Sequence, residues 1–392
     1  MLAKDTIWSL ARDGSRSMLV SGRGEVGWVE PRWAEGRLVV ATHGERLRVL
    51  DVSLATGAFA DLYSHPTADD VVFDAAWKPR FLLDRTSEHF GTGVSADRLA
   101  LQDPEGRMLG TLVRQPEWVL DRDPAPRAGR GPVYLLGGGD LVTVGTLGKR
   151  GFDPQPAGSA WGDATALLVD PQTGALDAVA WAAERLHWNV LTPDGKELPW
   201  LQDKLAADVR VRQRAAGDRR WLVMSWSGAS PARYWRFDRD DRSLVELVVP
   251  GDADERTFHP VQAAVVTARD GLKLAAYVTR PAGSGPWPLI VTVHGGPWHG
   301  HHQWSIDESA QESAERGYAT LAVNFRGTRG FGWKLMESSG FGDDGMIQDV
   351  EDGIRWAIAE GVADPARIAM EGVSYGGYAA LRCASRRRSG RW

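Results

Sequence analysis

The chain has 392 residues, of which 43% are apolar and 25% charged, and it carries a net charge of −5 at pH 7. This is an ordinary globular mix with material for two or three domains, and it offers no basic field to hold nucleic acid or an anionic membrane. A single cysteine, Cys383, excludes an internal disulfide framework and fits a reducing compartment.

In chain order, the opening MLAKDTIWSLARDG has no apolar run of leader length, and no stretch approaches the roughly 20 apolar residues that span a bilayer. The expectation is a soluble, cytoplasmic protein with no membrane partner. Residues 1–254 then read as an all-β unit. Short β-prone runs (GRLVVAT, LRVLDVS, ATALLVD, RWLVMSW, RYWRFD) alternate with acidic-Gly turns in RDGSR, AEGRL, PEGRM and PDGKE. Glycine suits such turns because it accepts positive φ without steric cost. Long helical periodicity is hard to find in this half.

Two stretches echo each other, VLDVSLATGAF and LLVDPQTGAL, with Thr56 and Thr173 standing 117 residues apart. That is about three units at the roughly 40-residue period of propeller blades, so a β-propeller is preferred over a generic all-β domain. Some 250 residues hold five or six such blades, which makes the propeller partial. Twelve of the 18 tryptophans fall before Pro250. They read as blade-packing core rather than a ligand platform.

From about residue 255 the pattern changes to strand, loop, helix, strand, helix. PLIVTV is a continuous apolar run of the kind buried parallel strands show. SIDESAQESAERG has helical composition and stops at Gly317. YATLAVNF is the next strand. MIQDVEDGIRWAIAEG then places Ile347, Val350, Ile354, Ala357 and Ile358 on one helical face, and RIAMEG is a further strand. This order predicts a doubly wound α/β unit over residues 255–381.

The chemistry sits at the junctions. GVSYGG, at a strand-to-helix turn, is a nucleophile-elbow pattern, with Ser374 held outward on a strained turn and Gly372 and Gly376 leaving room for the backbone. HGGPWHG follows PLIVTV at the position of a loop that donates an oxyanion amide. The backbone N–H groups of Gly296 and Tyr375 are the candidate donors. His294, His299, His301 and His302 crowd this loop without a helical i, i+4 pair or an acidic or cysteine partner, so a loop lining the cleft is expected and no metal site. Asp343, Asp344 and Asp349 are expected to flank or cap the helix that follows them.

VHGGPW, GYATLAVNFRGTRGFG and IAMEGVSYGGYAAL, in this order, resemble the catalytic domain of the prolyl oligopeptidase family. The similarity is greatest to its acylaminoacyl-peptidase and dipeptidyl aminopeptidase branch, and is strong over residues 261–381. The resemblance implies a β-propeller capping an α/β-hydrolase domain, short peptides as substrates, Ser374 as nucleophile, Gly296 and Tyr375 as oxyanion donors, and no cofactor or metal. Two rivals stand beside a serine peptidase: an esterase or other acyl hydrolase on the same scaffold, and a non-catalytic propeller remnant acting as a binding module.

The pattern breaks after the elbow. A triad of this kind runs Ser, then Asp or Glu, then His, and no acidic residue or histidine follows Ser374. From Arg382 the composition turns basic, and residues 382–392 read as an aberrant tail after a truncation or a lost reading frame, not as a nucleic-acid arm. The expectation is a truncated, nearly inactive hydrolase domain. RIAMEG would form a bare sheet edge, and the C-terminal half would be poorly soluble or partly unfolded. Substrate side-chain preference and oligomeric state are not legible.

Overall fold

In the computed structural model, residues 7–10, 16–20, 25–32, 35–74, 77–89, 95–114, 128–129, 133–137, 143–148, 151–154, 161–170, 173–247, 257–298, 300–338 and 344–388 are described. The described residues before 248 form six separate sheets of two to five strands, almost entirely antiparallel and with mostly sequential neighbours. Two are four-stranded meanders: Glu25–Arg32, Arg37–His43, Leu47–Ser53 and Phe59–His65, and later Asp208–Arg214, Arg220–Trp226, Arg233–Asp238 and Ser243–Leu247. Several strands coincide with the runs read from the sequence, because alternating or continuous burial of β-branched residues needs only local pattern.

The two echoing turns are the same turn. In one, Ser53 exchanges backbone hydrogen bonds with Gly57 and Ala58, and the Thr56 hydroxyl accepts from the Ala58 N–H. In the other, Asp170 does so with Gly174 and Ala175, and the Thr173 hydroxyl accepts from the Ala175 N–H. Gly57 and Gly174 have φ of 69° and 72°. The first turn joins the third and fourth strands of its sheet, whereas the second joins the first two described strands of a three-stranded sheet. The two turns share one hydrogen-bond chemistry at different places among the described strands of their sheets.

PDGKE also departs from expectation. Pro193–Lys196 is a short 3-10 turn leading into the helix Glu197–Leu205. Pro193 lacks the N–H a first turn leaves unused, and Leu198 and Leu201, one turn apart, are fully buried. The tryptophans divide by place. Trp181 and Trp221 are core, while Trp188, Trp200 and Trp235 pack partly buried against it.

Beyond 257 lies one mixed sheet, with strands β1 (Val261–Thr267), β2 (Lys273–Thr279), β3 (Trp287–Val293), β4 (Ala319–Val323) and β5 (Ala363–Gly372). The spatial order is β1-β2-β4-β3-β5, with β4, β3 and β5 parallel. The helices are α1 (Glu308–Glu315), α2 (Trp333–Glu337), α3 (Asp344–Ala359) and α4 (Tyr375–Arg388). Asp307 caps α1 by accepting the Ala310 N–H, and Gly317 follows that helix at φ 86°. The α3 stripe is buried as its spacing predicts at Ile347, Val350, Ile354 and Ala357, with Ile358 partly so. It packs with Leu289, Val291 and Val293 of β3 and Leu321 and Val323 of β4. Each such side chain contributes about 1.5–3 kcal/mol of burial free energy.

Two boundaries need comment. The expected division between residues 254 and 255 lies outside the described residues. At Arg382 the backbone shows no break. The elbow helix α4 runs on to Arg388, with Cys383 fully buried. The physical reason is charge complementarity. Arg386 meets Glu351 at 2.6 Å and Asp344 at 2.9 Å, and Arg382 meets Asp344 at 3.0 Å, so α3 presents acids to the basic turn of α4. β5 is an edge strand with a largely exposed face.

The β-rich part touches the α/β part at defined points. Trp161 stacks on Phe331 with centroids 5.4 Å apart, and the Asp163 N–H donates to the Gly330 carbonyl at 2.9 Å. The Arg185 guanidinium lies 3.8 Å over the Trp304 ring, and the Val261 N–H donates to the Gly228 carbonyl.

Candidate active site

β3 pairs with β4 on one side and β5 on the other, so the chain reverses its direction of travel across the sheet at β3. In open α/β sheets, ligands bind at the carboxyl ends of the strands beside such a switch. Two turns emerge there. The elbow after β5 carries Ser374 at φ 58°, the one positive φ on a non-glycine residue described from 257 onward. A left-handed serine costs about 1–3 kcal/mol, and such strain persists only where the surroundings enforce it. Here the Gly376 N–H donates to the Val373 carbonyl at 3.0 Å, and the Tyr378 N–H to the Ser374 carbonyl at 3.2 Å. Ser374 itself is exposed.

The elbow glycines are required by contact. A Cβ on Gly376 would lie 2.0 Å from the Val293 carbonyl oxygen, and one on Gly372 would lie 2.5 Å from the same oxygen and 2.6 Å from the Gly376 carbonyl carbon. The second turn, after β3, runs directly over the first. A Cβ on Gly295 would stand 3.0 Å from the Val373 carbonyl oxygen and 3.6 Å from Ser374 Cβ. The structure thus brings Gly295, Gly372, Ser374 and Gly376 together, with Gly296 next in the loop at φ 127°. Tyr375 begins α4, and its buried ring packs on Phe325 at 5.5 Å and Tyr378 at 5.8 Å.

His294 stacks on Phe325 at 4.4 Å. Its Nδ1 lies 2.9 Å from the Gly295 carbonyl oxygen and its Nε2 lies 2.8 Å from Thr328 Oγ1. One neutral tautomer satisfies both contacts, with Nδ1–H donating to the carbonyl and Nε2 accepting from the hydroxyl. Burial, and then the nearby Arg329 charge, pull its pKa down to about 4. Both ring nitrogens are engaged, so His294 is not placed as a base for Ser374. His301 and His302 are likewise lowered, to about 4 and about 3, by burial first and then by neighbouring ring charge. His302 is clamped through its backbone, its N–H donating to Asn324 Oδ1 while Asn324 Nδ2 donates to its carbonyl. His299 lies outside the described residues. Among those described, no group of three or more His, Cys, Asp or Glu side chains could hold a metal ion.

Asp344 opens α3, and Asp343 lies outside the described residues. Asp349 does not cap the helix. It is fully buried one turn further in, where it accepts the Arg326 backbone N–H at 2.7 Å and its guanidinium at 2.7–2.8 Å. A buried carboxylate needs a paired charge, and Arg326 supplies it from the loop after β4. This pair anchors the NFRGTRG loop, which also carries Phe325, Thr328 and Gly330. The sequence placed that stretch at the end of a strand and within the family resemblance, without assigning its residues a role in the site. Its signal was a run of polar residues directly after a buried strand at the switch point.

A family model, X-Pro dipeptidyl-peptidase (S15 family), matches residues 270–390. Dipeptidyl aminopeptidase BIII of Pseudoxanthomonas mexicana is 34% identical over 239 residues, covering 56% of this chain and 33% of the relative. The acylamino-acid-releasing enzyme of Arabidopsis thaliana is 38% identical over 231 residues, covering 54% of this chain and 28% of the relative. The chain spans a third or less of the length of these curated relatives. Among solved structures, a Mycobacterium tuberculosis puromycin-hydrolyzing peptidase superposes with a TM-score of 0.54 at 17% identity, covering 96% of this chain and 59% of its own. A Pyrococcus horikoshii acylaminoacyl peptidase does so with a TM-score of 0.53 at 14% identity, covering 96% and 70%. At such identities the likeness speaks to the fold, that of proteins with a propeller and a hydrolase domain.

Proposed function

Starting from descent among the serine-type peptidases of the prolyl oligopeptidase and acylaminoacyl-peptidase kind, we propose that this chain carries the nucleophile half of a peptidase acting on short peptides. The observation that carries the reading is the exposed Ser374 at φ 58°, with the Gly295 loop laid against it. Ser374 Oγ attacks the scissile carbonyl, and the Gly296 and Tyr375 amides hold the oxyanion. The amine leaves with a proton, and water then releases the acyl group. One such donor is worth about 3–4 kcal/mol of transition-state stabilisation.

Proton transfer requires a histidine and a carboxylate, and no acidic residue or histidine follows Ser374. Turnover by these 392 residues alone should therefore lie about 10⁶-fold below that of a full triad. A boundary at 254/255 is proposed from the change from sequential antiparallel meanders before it to one mixed sheet after it. The Trp161–Phe331 and Asp163–Gly330 contacts support a lid seated on the loop beside the site. No helix among the described residues is long and apolar enough to cross a membrane. A cytoplasmic place is proposed on composition alone, the single cysteine being compatible with a reducing compartment.

Reaction of a chain completed with a histidine and a carboxylate with a peptidyl phosphonate, read by peptide mass spectrometry, tests the nucleophile, since a serine without an adjacent base is not activated. The adduct is expected on Ser374 and absent from Ser374→Ala. Label that ignores this substitution would end the peptidase reading. It would favour the alternative, a non-catalytic binding module. A faster response to aryl-ester than to peptide-amide reporters, on a chain completed with both partners, would favour an esterase.

A further inference from the structure

Among the described residues β5 has a neighbour on one side only, and the groups along its open edge specify what fits there. The Trp287 N–H donates to the Val362 carbonyl at 2.9 Å, so alternate residues of β3, counted from Trp287, bond toward β5. In that parallel ladder Leu289 pairs with Ile368 and Val291 with Met370. A residue bonding across a parallel ladder reaches the two neighbours of its partner, so Arg367, Ala369 and Glu371 turn their main-chain groups toward β3. The N–H and C=O groups of Ile368 and Met370 therefore face outward. A regular edge left open in this way is a template for another strand. The side chains divide as well. Arg367, Ala369 and Glu371 are exposed on one face, and Ile368 and Met370 lie half-buried against the core on the other.

We propose that a second copy of this chain occupies the edge, with β5 pairing antiparallel to β5 about a twofold axis through Ala369. In that register Ile368 exchanges main-chain hydrogen bonds with Met370 of the second copy, so every outward group meets another. Arg367 faces Glu371 of the second copy, and symmetry repeats the pair. Both are non-hydrogen-bonded pairs, where opposed side chains come closest, and only the small Ala369 meets itself on the axis. An axis at Ile368 sets Arg367 against Ala369, and one at Met370 sets it against Val373, so neither pairs the charges. Opposite charges across two strands favour a register and like charges oppose it, which selects the axis at Ala369. Arg367 gives only Nε to Asp364, at 2.6 Å, and Glu371 uses Oε1 on the Thr292 hydroxyl, at 3.1 Å. The guanidinium keeps further donors and the carboxylate a second oxygen. The opposite edge, β1, reads VQAAVVT and has no charge to set a register, and its Val261 N–H is already given to the Gly228 carbonyl. Each copy contributes β5 once, so the assembly closes at a dimer. The inference does not depend on the peptidase reading.

Sedimentation equilibrium of the full chain over a dilution series reads the assembly. A dimer is expected for the parent. Arg367→Glu and Glu371→Arg each bring like charges together at both symmetry-related pairs, and each should weaken dimerisation about 10-fold or more. Mixed in equal amounts, the two variants restore opposite charges at both pairs and should form a heterodimer with near-parent affinity. The double variant Arg367→Glu/Glu371→Arg should dimerise by itself. A parent that is monomeric at about 100 μM or grows into open-ended aggregates overturns the proposal. So do single variants that dimerise like the parent, or a mixture that stays monomeric. Should a single variant fail to fold by far-ultraviolet circular dichroism, Ala369→Arg makes the comparison with the double variant. It sets two cations together on the axis from an exposed position and should abolish the dimer that the double variant keeps. An undiminished dimer in Ala369→Arg would place the contact elsewhere and refute the pairing.

Discussion

Gly376→Ala is the most direct test of how the elbow is built. The added Cβ would sit 2.0 Å from the Val293 carbonyl oxygen, 3.0 Å from its carbon and 3.5 Å from the His294 carbonyl carbon. The first distance is about 1.5 Å inside ordinary van der Waals contact. Both sides of the clash are main chain, β3 on one and α4 on the other, so no rotamer can relieve it. Overpacking costs about 1–3 kcal/mol, and a backbone-on-backbone case belongs near 3. Alanine returns at most about 1 kcal/mol of helix propensity. The net loss is about 2 kcal/mol, or roughly 4–8 °C in melting temperature for a unit of this size.

Gly377 supplies the control, since its Cβ would meet only the Gly372 carbonyl oxygen, at 3.3 Å. There the helix gain offsets a slight contact, and Gly377→Ala should be near neutral. Denaturant curves followed by near-ultraviolet circular dichroism compare the three proteins. Because α4 must tilt away from β3 in Gly376→Ala, phosphonate labelling of Ser374 should fall as well on a chain completed with a histidine and a carboxylate. Finding Gly376→Ala as stable as Gly377→Ala would show that the elbow is not packed against β3 as described.

Two further outcomes follow from buried charge. The unfolded chain takes up its histidine protons near pH 6.5, whereas the folded one takes up that of His294 only near pH 4 and that of His302 near pH 3. Stability is thus whole above pH 6.5 and declines as pH falls from 6.5 toward 4, by up to about 3 kcal/mol for one independent histidine. Asp208 and Asp349 are pushed upward by burial and act in the opposite sense. Denaturation midpoints of the parent and His302→Asn at pH 7 and 5 isolate the histidine part, and an equal acid sensitivity in both would refute it. Arg386→Ala should cost about 2 kcal/mol in the same denaturant assay. It strips the fully buried Glu351 of its 2.6 Å partner and leaves only Arg269 at 3.2 Å, short of the roughly 3–5 kcal/mol for a charge left wholly unpaired. Unchanged stability would mean that the basic turn of α4 does not dock on α3.

What could be read from the sequence was local. LRVLDVS and RWLVMSW are strands to the residue, and the α3 stripe is buried where its spacing placed it. Gly372 and Gly376 were singled out on steric grounds, and the same carbonyl, that of Val293, is what excludes a Cβ at both. What escaped depends on which elements meet. Asp349 looked like a cap because its partner Arg326 is 23 residues earlier in the chain. The basic run after Leu381 looked foreign because the acids that receive it, Asp344 and Glu351, lie on another helix. His294 looked like one of a crowd, since its neighbours Phe325 and Thr328 arrive on the loop after β4.

The meeting of the two catalytic-type turns has a specific cause in strand register. Val293 pairs with Gly372 across the parallel β3–β5 ladder, so both turns leave the sheet at the same height and on adjacent strands. Two residues beyond each of these partners stand Gly295 and Ser374, which is why those two come into contact. Either motif alone predicts a turn, and neither predicts the register. A one-residue slip of β5 would move Ser374 by about 3.3 Å along the strand and turn each β5 side chain to the other face. Gly372 and Gly376, closed around the Val293 carbonyl, resist that slip, because no side-chain-bearing residue fits either place. The elbow glycines therefore do more than admit a strained serine: they lock the height at which it faces the neighbouring loop.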